Sequence, residues 1–263
     1  MQIVVCTDLD GTLLDEEGRI HPLDKEILLY RQDVQFILAT GRPLHSVKRA
    51  FHKNGMFQDR PLPFHLALAN GSVTYMPGEM LSDYFPFTPT VRKQLFELSQ
   101  RFPSVTWWFY DIDNVYMRWP NPFSRQVIDD LDMTCLPFSQ AAGSDSISKL
   151  VCISPEPDLL REVSEQAGAL PVEIMHGMGI FFEVNPKGVN KGSGVLSLLS
   201  SPANGMCIFA AGDDENDLPL LSLAERSFCP VAAKPIVLEA VDQVIDKTER
   251  GLLTPILERA GVA

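Results

Sequence analysis

The sequence predicts an α/β fold in which a doubly wound parallel-sheet core is interrupted by a second domain. Apolar strands and helices alternate over residues 3–70, which is typical of βαβ units and a parallel sheet. The same alternation returns from residue 190. Between these regions the pattern changes to hairpins and amphipathic helices, which is typical of an α+β domain.

The first half of the core is predicted from short apolar runs, each of which ends at a polar or glycine-containing stretch. The predicted strands cover residues 3–6, 34–40 and 65–70. The predicted helices cover residues 22–32 and 44–54, and Pro43 suits the first turn of the second helix.

The inserted segment is predicted from alternating strands and helices of a different order. A hairpin is expected at 71–87, across the first boundary of the insert. It is followed by a helix at 90–102, strands at 105–110 and 114–119, a helix at 124–131, a strand at 149–154, a helix at 158–167, and strands at 172–175 and 180–184. We expect the boundaries near Ser82 and Pro186, where the chain would cross between the two domains.

The second half of the core restores the α/β order. Its expected elements are helices at 191–200, 216–224, 235–240 and 252–260, and strands at 206–211, 227–231 and 243–246. The sequence therefore predicts a Rossmann-like core, residues 1–82 and 187–263, with an inserted α+β domain at residues 83–186.

The composition limits the classes of partner. The 263 residues carry a net charge of −12, whereas a nucleic-acid binder needs a basic footprint. No apolar run approaches the ~18 residues of a membrane span. We therefore expect a small-molecule partner, no nucleic acid and no membrane, and a monomer or homodimer.

The five cysteines are odd in number and widely spaced, and no pair has the spacing of a zinc or redox motif. This pattern predicts free thiols, most of them buried, in a reducing cytoplasm.

Two aspartates follow the first predicted strand. Asp8 and Asp10 lie two residues apart, and Gly11 allows the backbone to turn with a positive φ. Carboxylates this close repel each other, and a divalent cation with oxygen ligands is the simplest partner for them. An acidic turn that caps a helix is the alternative.

Three later stretches carry complementary chemistry. Thr40 and Gly41 end a strand before a helix, where a hydroxyl and backbone amides bind phosphate, although a capping threonine is the simpler explanation. Lys191 falls in the first turn of a helix, a poor place for a cation unless an anion is close. Asp213 ends another strand and would complete an oxygen site for Mg²⁺ with Asp8.

Taken in order, these stretches resemble the haloacid dehalogenase superfamily of phosphotransferases. Residues 8–12 (Asp-Leu-Asp-Gly-Thr) resemble its nucleophile motif, Thr40 its second motif, Lys191 its third, and residues 212–217 its acidic fourth. The stretches at 39–43, 70–71 and 183–192 are similar to the Cof-type branch, whose cap domain lies between the second and third motifs.

The resemblance implies a Mg²⁺-dependent phosphatase that acts on a small phosphorylated metabolite, such as a sugar phosphate. Asp8 would be the nucleophile and Asp10 the acid and base. The side chains of Asp8 and Asp213 and the Asp10 carbonyl would hold Mg²⁺. The residues implied to bind phosphate or to assist are Leu9, Thr40, Gly41, Arg42, Lys191 and Asn216, with Asp217, Asn70 and Gly71 in support.

Other functions stay open at this point. A phosphomannomutase-like phosphomutase would return the phosphoryl group to a substrate hydroxyl. A sugar-phosphate-specific phosphatase of the sucrose-phosphatase or mannosyl-phosphoglycerate-phosphatase type is a further alternative, and a non-catalytic binding protein is the third. The sequence departs from the family near Ala232, where a Met-Gly-Asn-Ala-like turn is usual and its Asn is missing.

The inserted domain holds the candidates for specificity. Its aromatic cluster comprises Trp107, Trp108, Tyr110, Tyr116, Arg118 and Trp119. We expect most of these side chains to form the core of the insert, with a minority lining a substrate site. His176 is expected in a loop without a function.

Overall fold

The computed structural model describes residues 2–130, 133–141, 144–177, 179–199 and 205–262. Contacts within the chain define two compact units. The first comprises Met1–Gly41, Ala50–Asp83 and Asn190–Ala263, and the second comprises Arg42–Arg49 and Tyr84–Val189.

Strands and helices alternate through most of the chain. The strands are β1 (Gln2–Thr7), β2 (Val34–Ala39), β3 (His65–Leu68), β4 (Val73–Met76), β5 (Met80–Tyr84), β6 (Thr106–Tyr110), β7 (Val115–Arg118), β8 (Leu136–Pro137), β9 (Lys149–Ile153), β10 (Val172–Gly177), β11 (Phe181–Pro186), β12 (Met206–Ala211), β13 (Arg226–Pro230) and β14 (Gln243–Ile245). The α-helices are α1 (Pro22–Tyr30), α2 (Leu44–Lys53), α3 (Pro89–Arg101), α4 (Pro122–Asp130), α5 (Pro157–Gly168), α6 (Lys191–Leu198), α7 (Leu218–Leu221), α8 (Pro235–Leu238) and α9 (Leu253–Arg259).

The first unit is built on one sheet in the order β14-β13-β12-β1-β2-β3-β4-β5. The strands from β14 to β3 pair in parallel, and β4 pairs antiparallel with β3. From β1 the chain runs outward through β2 and β3, and it later runs the other way through β12, β13 and β14. This reversal makes the sheet doubly wound and confirms the predicted fold class.

The reversal determines where a ligand site can form. In open α/β sheets, ligands bind beyond the carboxyl ends of the strands where the strand order reverses. Here that point lies between β1 and β12, whose ends are joined by a hydrogen bond from the Asp8 amide to the Ala211 carbonyl (3.0 Å). The buried faces of β1, β2 and β12 pack against α6 and α7 through residues such as Val4, Val195 and Leu220.

The second unit has a six-stranded sheet in the order β10-β11-β9-β6-β7-β8, in which all pairs but β7–β8 are antiparallel. One face of this sheet packs against α3 and α5 around Trp107, Phe109 and Leu150. This mixed architecture is the α+β pattern that the sequence predicts.

Several predicted elements differ from the structure. The helix expected at 216–224 is a 3₁₀ turn at Glu215–Asp217 followed by the single turn of α7. His176 lies in β10 and not in a loop. Leu131, Met178 and Ser200, at or near predicted element ends, lie outside the described residues.

The five cysteines are free thiols, as predicted, and four of them are buried. Among the described residues, none of the helices has both the length and the apolar character needed to cross a membrane.

Candidate active site

The turn after β1 presents the two aspartates of the first motif. Asp8 is buried and extended in conformation, and Asp10 is exposed. Residues 9–13 then form one wide turn of π-helix type, in which Leu13 donates to the Asp8 carbonyl (3.4 Å) and Leu14 to the Leu9 carbonyl (2.7 Å). The side chain of Leu9 is fully buried, so this residue can offer only its backbone to a ligand.

Both the backbone conformation at residue 11 and the space around it favour glycine at this position. Its φ is +75°, and a Cβ at this position would collide with the carboxylate of Asp213. The next residue, Thr12, donates its hydroxyl to Asp213 Oδ1 (2.6 Å). The turn after β1 therefore packs directly on the aspartate that follows β12.

Lys191 is the centre of the site. Its ammonium lies 2.7 Å from Asp8 Oδ1 and 2.6 Å from Asp217 Oδ1, and its side chain is only 2% exposed. It begins α6, whose amino end is capped by reciprocal hydrogen bonds between Asn190 and Ser193. The sequence predicts an anion beside this lysine, and the structure places two carboxylates there.

Asp217 joins Lys191 to the turn after β12. While Oδ1 accepts from Lys191, Oδ2 accepts the backbone amides of Asp213 and Asp214, both at 3.0 Å. Both carboxylate oxygens are thus engaged, and Asp217 is fully buried. Its supporting role in the reaction stays a prediction.

Asn70 and Gly71 support the amino end of α6. Gly71 has a φ of +88°, and a Cβ there would collide with the Asn190 carbonyl. The side chain of Asn70 is fully buried and accepts a hydrogen bond from Asn216 Nδ2 (3.4 Å). Among the described residues, the buried Oδ1 of Asn216 has no hydrogen-bond partner, which leaves an acceptor in the site.

Thr40 lies buried at the carboxyl end of β2. Its amide donates to the Ala67 carbonyl (2.9 Å), and its carbonyl accepts from the Asn70 amide (3.0 Å). Because α2 begins only at Leu44, Thr40 does not cap that helix, which removes the simpler explanation for this threonine. Gly41 is half-buried, and Arg42 donates to Ser46 Oγ on α2 (3.1 Å).

The electrostatics of the site favour a further cation. Burial raises the pKa of Asp8 well above its ordinary value, with Lys191 opposing this, and the neighbouring aspartates raise it further. Burial would lower the pKa of Lys191, but the charges of Asp217 and Asp8 outweigh it and raise this pKa. Burial also raises the pKa of Asp213 to about 6, against the hydrogen bond from Thr12.

The carboxylates fit a hard divalent ion. Oxygens of Asp8, Asp213 and Asp217 lie within 4.8 Å of one another. Since Asp217 already uses both oxygens for Lys191 and backbone amides, Asp8 and Asp213 are the better ligands of the three. Oxygen ligands of this type suit Mg²⁺.

Two lysines that no sequence motif singles out also contact these turns. Lys234 lies in the stretch that departs from the family; its amide donates to the Asp213 carbonyl (2.9 Å), and its ammonium pairs with Asp214 (2.5 Å). Lys247 donates to backbone carbonyls of the turn after β1. Neither contact has a local sequence signal, because each depends on chain segments far apart in sequence.

The aromatic cluster of the second unit mainly forms its interior, as expected. Trp107 and Tyr116 belong to the core of this unit, and Trp108 and Tyr110 are also buried. Arg118 lies over the ring of Trp119, 5.1 Å from its centroid.

A strand-end aspartate pair, a buried lysine and an acidic turn lie where a doubly wound sheet reverses, which is where such sheets bind ligands. A family model of haloacid dehalogenase-like hydrolases matches residues 5–254. The chain therefore belongs to the haloacid dehalogenase-like hydrolases.

Three similar proteins extend the comparison. An uncharacterised hydrolase of Schizosaccharomyces pombe is 25% identical, over 98% of this chain and 90% of its own. A crystal structure from Thermotoga maritima is 25% identical with a TM-score of 0.80, covering 98% of this chain and 97% of its own. A sugar phosphatase of haloacid dehalogenase subclass IIB is 20% identical with a TM-score of 0.78, covering 100% of both chains.

These likenesses extend through the inserted segment as well as the core. The second unit lies between Thr40 and Lys191 in the chain, where the Cof-type branch carries its cap. The predicted superfamily and branch are both supported.

Proposed function

We propose that this hydrolase is a Mg²⁺-dependent phosphatase that cleaves a small phosphomonoester through an aspartyl-phosphate on Asp8. The observation that carries the proposal is the buried contact between Asp8 and Lys191 beside Asp213. Lys191 orients the Asp8 carboxylate for attack on phosphorus and offsets the repulsion between this carboxylate and the anionic oxygens of the phosphate.

The proposed reaction has two steps, which are phosphoryl transfer to Asp8 and hydrolysis of the aspartyl-phosphate. A carboxylate oxygen of Asp8 forms a bond to phosphorus while the bond to the alcohol oxygen breaks, and Asp10 gives its proton to that alcohol. Asp10 then takes a proton from a water molecule whose oxygen attacks the same phosphorus, which releases phosphate and restores Asp8. Asp10 leaves the first step as a carboxylate, which is the form that the second step needs.

The remaining residues bind the phosphoryl group. Lys191, the Thr40 hydroxyl and the Gly41 amide are proposed to stabilise its oxygens, with Arg42 and Asn216 as further contacts. Asp8, Asp213 and the Asp10 carbonyl would hold Mg²⁺, which would offset the charge of the phosphate.

The proposed substrate class is a sugar phosphate or a similar metabolite. The fold likeness to a subclass IIB sugar phosphatase supports this choice. We assign selection of the leaving group to residues 83–186, because the core residues handle only the phosphoryl group. We further propose that the protein works in a reducing cytoplasm as a monomer or homodimer.

Phosphate release from a panel of phosphorylated metabolites tests the proposal. We expect release from a few sugar phosphates in the presence of Mg²⁺ and its loss with excess chelator. If a folded, Mg²⁺-loaded protein releases phosphate from no member of the panel, the proposed reaction is wrong.

A further inference from the structure

The side chain of Lys247 donates hydrogen bonds to backbone carbonyls of the turn after β1, and we say that it closes this turn. Its ammonium donates to the carbonyls of Gly11 (2.8 Å), Thr12 (2.7 Å) and Leu14 (2.8 Å). The lysine follows β14, so one side chain from the edge of the sheet reaches back to the turn that follows its central strand.

The number of hydrogen-bond donors on the Lys247 ammonium matches the number of carbonyls that it contacts. A backbone carbonyl that is shielded from water needs a hydrogen-bond donor. A lysine ammonium has three donors, and here they meet three such carbonyls in a half-buried position.

The turn that Lys247 closes carries two residues of the site. Asp10 is the proposed acid and base, and Thr12 donates to Asp213 (2.6 Å). The side chains of Leu13 and Leu14 are buried, so the turn is anchored by packing on one side and by Lys247 on the other.

We propose that Lys247 is a positioning residue that holds residues 9–14 in the shape that Asp10 needs to protonate the leaving alcohol. The catalytic part of this inference rests on the proposed function, because Asp10 is the acid and base only in the proposed reaction. Its structural part, the fixing of the turn, does not depend on the reaction.

The structural part is tested by amide hydrogen exchange of the Mg²⁺-loaded protein. In Lys247→Met, we expect the amides of Leu13 and Leu14 to exchange about tenfold faster, with the rest of the first unit unchanged. Lys93→Met is the matched control, because Lys93 is 79% exposed and lies 3.9 Å from Glu97. Unchanged exchange in this segment would overturn the inference.

The catalytic part is tested by comparing two esters. p-Nitrophenyl phosphate has a leaving group that needs little protonation, whereas glycerol 2-phosphate releases an alkoxide that needs a proton. We expect Lys247→Met to lower kcat/KM about 10–100-fold for glycerol 2-phosphate and less than about threefold for the aryl ester. Lys247→Arg, which keeps the charge and donors, should recover most of the loss.

The outcomes separate the two proposals. Equal losses for both esters would overturn the link from Lys247 to Asp10, since a general loss of structure does not distinguish leaving groups. If exchange quickens but the wild-type protein hydrolyses neither ester, the proposed function fails and the fixing of the turn is supported. If Lys247→Met does not fold, Lys247→Gln, which keeps two donors, is measured in the same two ways.

Discussion

Asp217 links Lys191 to the backbone of the turn after β12. One of its oxygens holds Lys191, and the other holds the backbone amides of Asp213 and Asp214. An asparagine in its place has one acceptor oxygen and one amino group, so it cannot satisfy both sets of donors.

We therefore expect Asp217→Asn to lower the free energy of unfolding by about 2–4 kcal/mol, because it leaves buried donors unpaired. The same change should lower kcat/KM about 100-fold by displacing Lys191. Asp214→Asn is the control, since Asp214 is half-exposed and pairs with Lys234 near the surface. Denaturant unfolding and steady-state kinetics measure both effects, and equal behaviour of the two variants would contradict this role for Asp217.

Asp213 makes the metal-free protein sensitive to pH. Burial raises its pKa in the folded state to about 6, above its ordinary value of 3.8. Such a carboxyl binds its proton more tightly in the folded state, so its unfavourable contribution to stability grows as the pH rises from about 4 to about 6. Above that range the penalty is constant.

Asp213→Asn should therefore raise the free energy of unfolding of the metal-free protein at pH 7.5 by on the order of 1 kcal/mol. Asparagine can still accept the hydrogen bond from Thr12, and the gain should vanish towards pH 4. With Mg²⁺ the order should reverse, because the variant loses a ligand. Thermal melting with Mg²⁺ and with chelator measures these differences, and a gain that persists at pH 4 would contradict them.

At the scale of single residues, the sequence predicts the chemical roles of the side chains better than it predicts which residues they contact. Asp8, Asp213 and Lys191 are recognisable because each follows a strand or opens a helix, where ligands bind. Lys247 is not recognisable, because a lysine after an edge strand is usually solvated and its partners are backbone carbonyls. The contacts of Lys234 with Asp213 and Asp214 are not recognisable from the sequence either, because they also join distant segments of the chain.

The placement of α6 depends on a close approach of two backbones. Gly71 meets the Asn190 carbonyl, and a Cβ on Gly194 would collide with Gly71 in turn. The helix that begins at Lys191 can therefore reach Asp8 only because no side chain separates it from the turn after β3.

Gly71→Ala should lower the free energy of unfolding by about 2–4 kcal/mol, the sum of strain at positive φ and of overpacking. It should also lower kcat by displacing Lys191. Gly78→Ala is the matched control, because Gly78 has a φ of +83° but open space around its Cβ. That variant should lose only about 1 kcal/mol and keep its activity. Equal losses in both variants would show that the close approach is unimportant.

The core strands are predicted within one or two residues, because buried parallel strands are short apolar runs with clear ends. The helix expected at 216–224 is wrong, since Asp214 and Asp217 cap a tight turn there and α7 ends after one turn. The short strand β8 has only two residues and one of them is a proline, so its pattern is too brief to be recognised.

On the scale of the whole molecule, the net charge of −12 opposes an anionic substrate. A local positive charge can offset this repulsion. The doubly wound sheet brings strand ends from both halves of the core to one place, and the cation Lys191 lies there. The excess of carboxylates there then favours a divalent cation, which would reverse the local charge. The order of the motifs along the chain predicts that these strand ends lie together. The individual contacts between segments distant in sequence are seen only in the structure.

The most direct test of the nucleophile is phosphate release by Asp8→Asn, measured with the sugar phosphate that the wild-type protein hydrolyses fastest, in Mg²⁺ and in chelator. We expect a loss of more than about 1,000-fold, because an amide is a poor nucleophile towards phosphorus. The variant should keep a cooperative melting transition, since Lys191 still pairs with Asp217. Substantial Mg²⁺-dependent turnover by the folded variant would show that Asp8 does not carry the phosphoryl group.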